Sequence, residues 1–298
     1  MIDVSIIIVN FNTHELTCNC IKSVISRAAD INYEIIIVDN ASTDDSTEKI
    51  KNQFTNVKLI ENIENIGFGR ANNVGIRTSE SKYVFLLNSD TILVNNAIKM
   101  FFEFMEQVKN QEVACCGGQL YSHDMSKQLS YCDLPSIKDV AIRCFINPYE
   151  VLKRIFNISE FPIFSTNNDA QKVGFISGAD MFIRREVLKE VGLFDEDFFL
   201  YFEETELSYR FKKYGYKSMF LPNAKIKHLC GASINNNKDL DRMKLFRQSE
   251  LLYFKKCYGL LAAYLVKLIY VFSGIINGLF KGDGNYLRSA WLISKLKI

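Results

Sequence analysis

Residues 4–12 read VSIIIVNFN, an apolar β-branched run with a polar end. Runs of this length and composition are typical of buried strands. A second run, EIIIV at residues 34–38, ends in the same way at Asp39, and a helical pattern around residues 16–28 separates the two. A strand–helix–strand order with short connections predicts crossover units and a parallel sheet.

The same alternation continues along the first half of the chain and returns near its middle. We predict further strands at residues 57–60, 83–87 and 173–176, and helices at 46–54, 68–78, 185–191 and 205–213. Between Cys115 and Asp169 the pattern weakens, which we interpret as a variable insertion over the site. The sequence therefore predicts an α/β fold with a mainly parallel sheet flanked by helices.

Composition and charge exclude several classes of protein. Lys and Arg total 36 against 34 for Asp and Glu, a net charge of +2, so nucleic acid is not an expected partner. The eight cysteines are scattered without a CxxC pair, which favours buried reduced thiols over disulfides or zinc. The first residues lack a basic stretch and a cleavage site, so we expect a cytosolic catalytic domain.

Polar residues collect just after the predicted strands, where parallel sheets bind their ligands. They are Asn10, Asn12 and Thr13 after the first strand, Asp39, Asn40 and Ser42 after the second, and Asn88, Ser89 and Asp90 after the fourth. Each cluster alone also fits ordinary strand ends and turns. Asp90 is a hard oxygen ligand suited to Mg or Mn, although an Asp here could equally cap the next helix.

His228 follows a strand-like run and precedes a glycine turn. A lone histidine is usually structural, but imidazole suits Mn, so His228 and Asp90 could share one metal with a diphosphate. Sequence spacing does not establish that the two residues meet.

Residues 202–206 read FEETE and follow the aromatic stretch FFLY. Acidic residues in a first helical turn are explained in part by the helix dipole. An aromatic approach would also desolvate a carboxylate and raise its pKa toward the range of a general base. The three carboxylates are those of Glu203, Glu204 and Glu206; Glu203 and Glu206 share one face of the predicted helix, and Glu204 points elsewhere.

The segment NIGFGRANN at residues 65–73 opens a predicted helix. Such a start can bring backbone amides and Arg70 toward a phosphate. The dinucleotide fingerprint does not follow the first strand, so a nicotinamide or flavin enzyme is disfavoured.

In this order the motifs resemble those of the family 2 glycosyltransferases, inverting enzymes of the GT-A fold, and within them a bacterial rhamnosyltransferase-like branch. The resemblance covers roughly residues 2–235. Its motifs are VSIIIVNFN (4–12), VDNASTD (38–44), NIGFGRANN (65–73), NSD (88–90), SGAD (177–180), FEETE (202–206) and HLCGAS (228–233).

The resemblance implies a role for each matching residue. Asp39 would contact the nucleotide base, and Asp90 and His228 would hold a divalent metal, Mg or Mn. Glu204 would be the catalytic base. Residues framing the nucleotide sugar would be Asn10, Thr13, Asn65, Gly67, Arg70 and Ser89, and those of the sugar or acceptor pocket Gly178, Ala179, Asp180 and Glu203.

Two positions depart from the family pattern. Asn88 replaces the leading Asp of the Asp-x-Asp motif, which leaves Asp90 as its main carboxylate. Glu204 stands where relatives more often carry Asp, so the base reaches one methylene further and Glu203 could take its role.

The implied reaction is a single displacement at the anomeric carbon with inversion, using a nucleoside-diphosphate sugar donor. We favour rhamnose from dTDP-rhamnose, passed to a glycan or a polyprenyl-diphosphate-linked acceptor in cell-surface polysaccharide synthesis. The alternatives are a UDP-hexose or UDP-N-acetylhexosamine donor, or a catalytically silent carbohydrate-binding homologue.

We predict a GT-A domain at residues 1–237 and a helical, membrane-associated segment at 238–298. The apolar run 260–280 is long enough to span a bilayer, but Lys267 lies near its middle. Basic residues flank it, so helices lying in the membrane interface are favoured over a span. A helix completing the soluble core remains the third alternative. The expected location is cytoplasmic, peripheral on the inner face of the cell membrane.

Overall fold

The computed structural model describes residues 2–145, 169–229, 239–281 and 284–298. Contacts divide the chain into two compact units. The first comprises Met1–Asp133, Phe164–Phe199 and Glu203–Asn235, and the second comprises Leu134–Ile163, Leu200–Phe202 and Asn236–Ile298.

The strands all belong to the first unit. They are β1 (Val4–Asn10), β2 (Tyr33–Asp39), β3 (Val57–Glu61), β4 (Tyr83–Leu87), β5 (Thr91–Leu93), β6 (Val113–Tyr121), β7 (Tyr131–Cys132), β8 (Gln171–Val173), β9 (Phe175–Ile176), β10 (Asp180–Arg184) and β11 (Lys217–His228).

The helices are numbered along the whole chain, and those of the second unit are α5 and α8 to α10. They are α1 (His14–Arg27), α2 (Ser46–Gln53), α3 (Phe68–Thr78), α4 (Ala97–Glu106), α5 (Ile137–Phe145), α6 (Arg185–Val191), α7 (Glu203–Lys213), α8 (Asp239–Tyr258), α9 (Leu260–Lys281) and α10 (Gly284–Lys295).

A nine-stranded sheet organises the first unit. Its order is β3-β2-β1-β4-β10-β6-β11-β5, with β8 also paired to β11. The strands from β3 to β4 are parallel, as are β6 and β11, while β10 runs antiparallel to both of its neighbours. The predicted α/β fold, with a mainly parallel sheet flanked by helices, is confirmed.

The two faces of the sheet bury different side chains of the same strand. In β1, Ile6 and Ile8 belong to one apolar cluster and Ile7 to the other, and all three are fully buried. Successive strand residues point to opposite faces, so a continuous apolar run is what a sheet covered on both sides requires. Each such side chain contributes about 1.5–3 kcal/mol of transfer free energy.

The centre of the sheet contains a strand that the sequence analysis missed. β6 begins two residues before the segment predicted as an insertion and extends into it, and its sequence VACCGGQLY has little β-branched character. Neighbouring atoms leave no room for a side chain at the two glycines. A Cβ on Gly117 would lie 2.3 Å from Ile176 Cγ2, and a Cβ on Gly118 would lie 2.4 Å from Ala224 O. Close approach of neighbouring strands explains glycine here. The predicted insertion also contains β7 and α5, and its residues 146–168 lie outside the described residues.

The second unit is built around a buried charged group. Glu250 has no exposed surface, and its carboxylate accepts hydrogen bonds from Arg143 (3.0 Å), Arg247 (2.6 Å) and the hydroxyl of Tyr270 (2.9 Å). These partners compensate the desolvation of the carboxylate, which unpaired would cost several kcal/mol. By length and composition, one helix of the described chain, α9, could cross a membrane.

Candidate active site

The ends of β1 and β2 carry the first group of predicted site residues. Strand register places Asn10 beside Asp39, and both side chains are buried. The Asn10 amide donates to Asp39 Oδ1 at 2.7 Å, while the backbone N–H and hydroxyl of Ser42 donate to the two carboxylate oxygens at 2.9 and 2.6 Å. Asp39 is therefore held in a fixed orientation at the sheet edge.

Hydroxyl groups connect this pair to the end of β4. Thr13 Oγ1 lies within hydrogen-bond distance of Asn10 Oδ1 (3.0 Å) and of Ser89 Oγ (3.2 Å), and Thr17 donates to Asn10 Oδ1 at 2.6 Å. The residues that follow β1, β2 and β4 thus form one hydrogen-bonded network, as expected for the carboxyl ends of neighbouring parallel strands.

Asp90 and His228 meet because of the register of β5 and β11. His228 pairs with Thr91, and the backbone N–H of Leu229 donates to the carbonyl of Asp90 at 2.9 Å. The imidazole Nε2 then lies 3.3 Å from Asp90 Oδ1, with 14% of the histidine and 6% of the aspartate side chain exposed. Gln128 donates to the His228 carbonyl at 3.0 Å and holds the strand end.

The two side chains fit a divalent ion by chemistry and by separation. Carboxylate oxygen and imidazole nitrogen bind Mn and similar ions at about 2.1 Å, so two atoms 3.3 Å apart can share one ion. Asn88 Oδ1, at the start of the same turn, is buried without a hydrogen-bond partner. An oxygen left unsatisfied beside a carboxylate is consistent with a site that a ligand completes.

A second group of potential ligands lies where the start of α1 meets the start of α2. Ligand atoms of His14, Asp44 and Asp45 lie within 4.8 Å of one another. The Lys49 ammonium, however, lies 2.8 Å from Asp45 Oδ2 and 3.2 Å from His14 Nε2. A cation already balances these carboxylates, which makes the group a surface ion-pair cluster.

The three glutamates at the start of α7 lie in three different environments. Glu206 is paired with Arg210 through two hydrogen bonds of 2.7 Å. Glu203 is buried, its Oε2 has no hydrogen-bond partner, and burial together with the Glu204 charge raises its pKa well above the usual value. Glu204 keeps some solvent exposure, and desolvation raises its pKa to about 7. Glu204 is thus the one of the three suited to exchange protons near neutral pH.

The segment SGAD lies between the end of β4 and Glu204. The N–H of Asn88 donates to Ala179 O at 3.0 Å, and a Cβ built on Gly178 would lie 3.9 Å from Glu204 Cδ. Asp180 is fully buried, and its Oδ2 accepts from the Gly118 N–H at 2.6 Å. Burial raises the pKa of Asp180 well above its usual range, and Oδ1 lacks a hydrogen-bond partner.

The loop before α3 is fixed by amide side chains. Asn40 donates to Asn65 Oδ1 at 2.8 Å, and Asn65 Oδ1 accepts from the Gly67 N–H at 3.0 Å. Gly67 has φ +86°, and a Cβ there would lie 2.3 Å from Phe199 O, so only glycine fits. Arg70 is exposed and donates to Glu196 O at 2.6 Å, so its hydrogen bond does not join the network of strand ends.

Four supporting residues were given no role by the family resemblance. Ser42 and Asn40 orient Asp39 and the Asn65 loop, Thr17 holds Asn10, and Gln128 holds the His228 backbone. Ser42 and Asn40 follow a predicted strand, so their position was a usable signal. The role of Gln128 depends on the pairing of distant segments and has no local signal.

The fold is that of the GT-A glycosyltransferases. A mannosyltransferase, PcManGT from Pyrobaculum calidifontis, solved in complex with GDP-Man and Mn²⁺, matches with a TM-score of 0.56 at 13% identity over 98% of this chain and 84% of that one. The glycosyl transferase family 2 model matches residues 5–192. The chain therefore belongs to glycosyl transferase family 2.

Two characterised relatives are rhamnosyltransferases by name. The N-acetylglucosaminyl-diphospho-decaprenol L-rhamnosyltransferase of Mycobacterium tuberculosis is 23% identical over 215 residues, covering 68% of this chain and 69% of that protein. The O-antigen chain rhamnosyltransferase WbaN of Salmonella anatum is 27% identical over 202 residues, covering 65% and 56%. The predicted resemblance to family 2 and to its rhamnosyltransferase-like members is confirmed.

Proposed function

We propose that this glycosyltransferase is metal-dependent and inverting, and that it moves rhamnose from dTDP-rhamnose to a glycan or polyprenyl-diphosphate-linked acceptor. The observation that carries the proposal is the 3.3 Å separation of Asp90 Oδ1 and His228 Nε2 at the end of the sheet. A carboxylate and an imidazole at this edge are suited to hold a cation against a diphosphate.

The strand-end network would bind the nucleotide. Asp39 is already oriented by Asn10 and Ser42, and in this proposal its remaining lone pairs accept from the base. Thr13 and Ser89 frame the nucleotide together with Asn65 and Gly67, which precede α3, where the helix dipole favours phosphate. Arg70 adds positive charge beside this loop.

Asp90 and His228 would hold Mg or Mn, which when bound neutralises the charge that develops on the leaving diphosphate. Glu204 takes the proton of the acceptor hydroxyl as that oxygen attacks the anomeric carbon from the opposite face. A pKa of about 7 lets the carboxylate accept a proton near neutral pH. Gly178, next to this carboxylate, leaves room for the sugar or acceptor, with Ala179, Asp180 and Glu203 lining the pocket.

The acceptor and location follow from the same reasoning. The name of the mycobacterial relative specifies a sugar on decaprenyl diphosphate, and the basic, apolar helices of residues 238–298 suit work beside a membrane. We propose a cytoplasmic enzyme, peripheral on the inner face of the cell membrane, that acts in cell-surface polysaccharide synthesis.

A donor panel tests the proposal. The protein is incubated with dTDP-rhamnose, UDP-hexoses and UDP-N-acetylhexosamines, with Mg, Mn or EDTA, and release of nucleoside diphosphate is measured. We expect metal-dependent release that is fastest with dTDP-rhamnose. Fastest release from a UDP-sugar would overturn the choice of donor. Binding without turnover by any donor would instead favour a catalytically silent homologue.

A further inference from the structure

One side of α9 is exposed and consists of large apolar side chains. Leu261 is 74% exposed, Leu268 63%, Phe272 64% and Leu279 72%. We call this the apolar face of α9; its members are Leu261, Tyr264, Leu265, Leu268, Phe272, Ile275 and Leu279. The spacing of three and four residues puts them on one stripe about 27 Å long. Contiguous apolar surface of this extent marks an interaction site.

The opposite side of α9 packs within the second unit. Val266 and Tyr270 are buried, and a Cβ on Gly274 would lie 2.8 Å from Ala290 Cβ of α10. Lys267, the one charged residue near the middle of the helix, donates to Leu296 O at 2.7 Å. One side of α9 therefore packs against protein, and its exposed side is apolar. Over its described residues the helix presents no polar side to the solvent.

An orientation in which α9 crosses the membrane conflicts with its contacts inside the second unit. Tyr270 of α9 donates to Glu250 of α8, a carboxylate also bonded to Arg143 and Arg247. If α9 crossed a bilayer with this packing intact, an ion-paired cluster and the charged helix α8 would enter the hydrocarbon with it, which is costly. A helix lying along the membrane surface keeps α8 and its charges outside.

The charge around the apolar face indicates its partner. Residues 251–298 contain one acidic residue, Asp283, and seven basic ones: Lys255, Lys256, Lys267, Lys281, Arg288, Lys295 and Lys297. A second copy would bring the same positive charge and be repelled, whereas anionic lipid attracts it. Trp291 of α10 is 60% exposed, and tryptophan is enriched at membrane interfaces.

We propose that the apolar face of α9 binds the surface of a bilayer containing anionic lipid, with the helix parallel to the membrane plane. Its leucines and Phe272 insert to the depth of the headgroup boundary, and the neighbouring lysines contact lipid phosphates. This inference rests on the peripheral membrane location in the proposed function and names the face and the lipid that would provide it; it holds whichever donor the enzyme uses.

Vesicle flotation with the full chain tests it. We expect the protein to float with vesicles of phosphatidylcholine mixed with phosphatidylglycerol, more weakly with phosphatidylcholine alone, and less at high salt. The chain has a single tryptophan, so a blue shift of its emission on vesicle addition reports burial of Trp291. Absence of flotation and of the shift would overturn the proposal.

Matched variants locate the binding face. Leu268→Gln combined with Phe272→Gln should weaken binding at least about tenfold, while Ile63→Gln, at a fully exposed apolar residue of the first unit, should leave it unchanged. Lys255→Glu with Lys256→Glu should cost about fivefold per lysine on anionic vesicles. Equal binding by the double glutamine variant and the parent would contradict the assignment.

Further outcomes separate this proposal from its rivals and from the proposed function. A dimer in solution that Leu268→Gln with Phe272→Gln dissociates would show a second copy as the occupant. Resistance to extraction at alkaline pH would show a span. Both overturn the proposal. Release of nucleoside diphosphate without vesicles is measured in parallel. Loss of vesicle binding with normal turnover refutes this inference and the peripheral location, whereas loss of turnover with normal vesicle binding refutes only the proposed sugar transfer.

Discussion

The imidazole Nε2 of His228 lies 3.3 Å from Oδ1 of Asp90, and the backbone bond from Leu229 N–H to Asp90 O fixes this approach. β11 and β5 pair in antiparallel register at this point. This backbone pairing therefore helps to set the distance between the His228 and Asp90 side chains. A site built on strand ends is positioned more accurately than one on loops.

Removing the proposed base should separate catalysis from binding. We expect Glu204→Gln to lower kcat by roughly 10²–10⁴-fold while leaving donor affinity within about twofold, because the amide cannot accept the proton. Steady-state kinetics and calorimetry with the donor measure the two effects. Glu203→Gln is the matched control, since Glu203 is buried and burial raises its pKa well above the usual value. A larger loss of kcat in Glu203→Gln would assign the role to Glu203 instead.

The pH profile of turnover should report the ionisation of Glu204. The base must be deprotonated, and desolvation raises its pKa to about 7, so kcat should fall as pH drops below about 7. In the profile of log kcat the acidic limb should have a slope of about one. A limb that breaks near 4.5, the ordinary value for a glutamate, would exclude Glu204 as a desolvated base.

The carboxyl group of Glu204 should also lower the stability of the folded protein at alkaline pH. Its pKa in the folded state is raised, so its contribution to stability is complete below about pH 4.5 and is lost as pH rises through about 7. Glu204→Gln should therefore raise the free energy of unfolding on the order of 1 kcal/mol at pH 8, a Tm gain of about 2–4 °C, with little gain at pH 5.

Glu196→Gln is the control for that measurement. Arg77 lowers the pKa of Glu196, so the substitution should not stabilise the protein at pH 8. A Tm of Glu204→Gln that is unchanged or lower at pH 8 would contradict the raised pKa.

The loop before α3 should not tolerate a side chain at Gly67. A Cβ would lie 2.3 Å from Phe199 O on a backbone with φ +86°. We expect Gly67→Ala to destabilise the protein by about 1–3 kcal/mol and to weaken donor binding, measured by thermal unfolding and calorimetry. Gly284→Ala is the control, because nothing lies within 4 Å of its Cβ position. Equal stability of the two variants would show that the loop adapts.

Local patterns predicted the parallel half of the fold closely. The helix at residues 68–78 and the strand at 83–87 have the predicted bounds. β1 is one residue longer at its end than the predicted strand 4–9, and β2 is one residue longer at each end than the predicted strand 34–38. The reason is physical: fully buried strands need continuous apolar runs, which are visible in the sequence. The polar ends of these runs likewise predicted that Asn10, Asp39 and Asp90 lie at or just after strand ends.

What the sequence did not predict depends on contacts between distant segments. β6 was missed because Cys115 to Gly118 suit close packing against β10 and β11 rather than intrinsic strand propensity. The burial of Asp180 beside Gly118 could not be read locally for the same reason. The roles assigned to Asp90, His228 and Glu204 stay predictions, and so does the domain boundary at residue 237. Part of the motif at 228–233 lies outside the described residues.

The most direct test of the account is binding of Mn²⁺ together with dTDP, measured by calorimetry on the parent and on Asp90→Asn, His228→Ala and the control His123→Ala. We predict that metal strengthens dTDP binding in the parent and in His123→Ala. Each site variant should lose about 10–100-fold of that metal-dependent affinity, and nearly all turnover. Metal-dependent dTDP binding that survives in both Asp90→Asn and His228→Ala would contradict a shared ion between them.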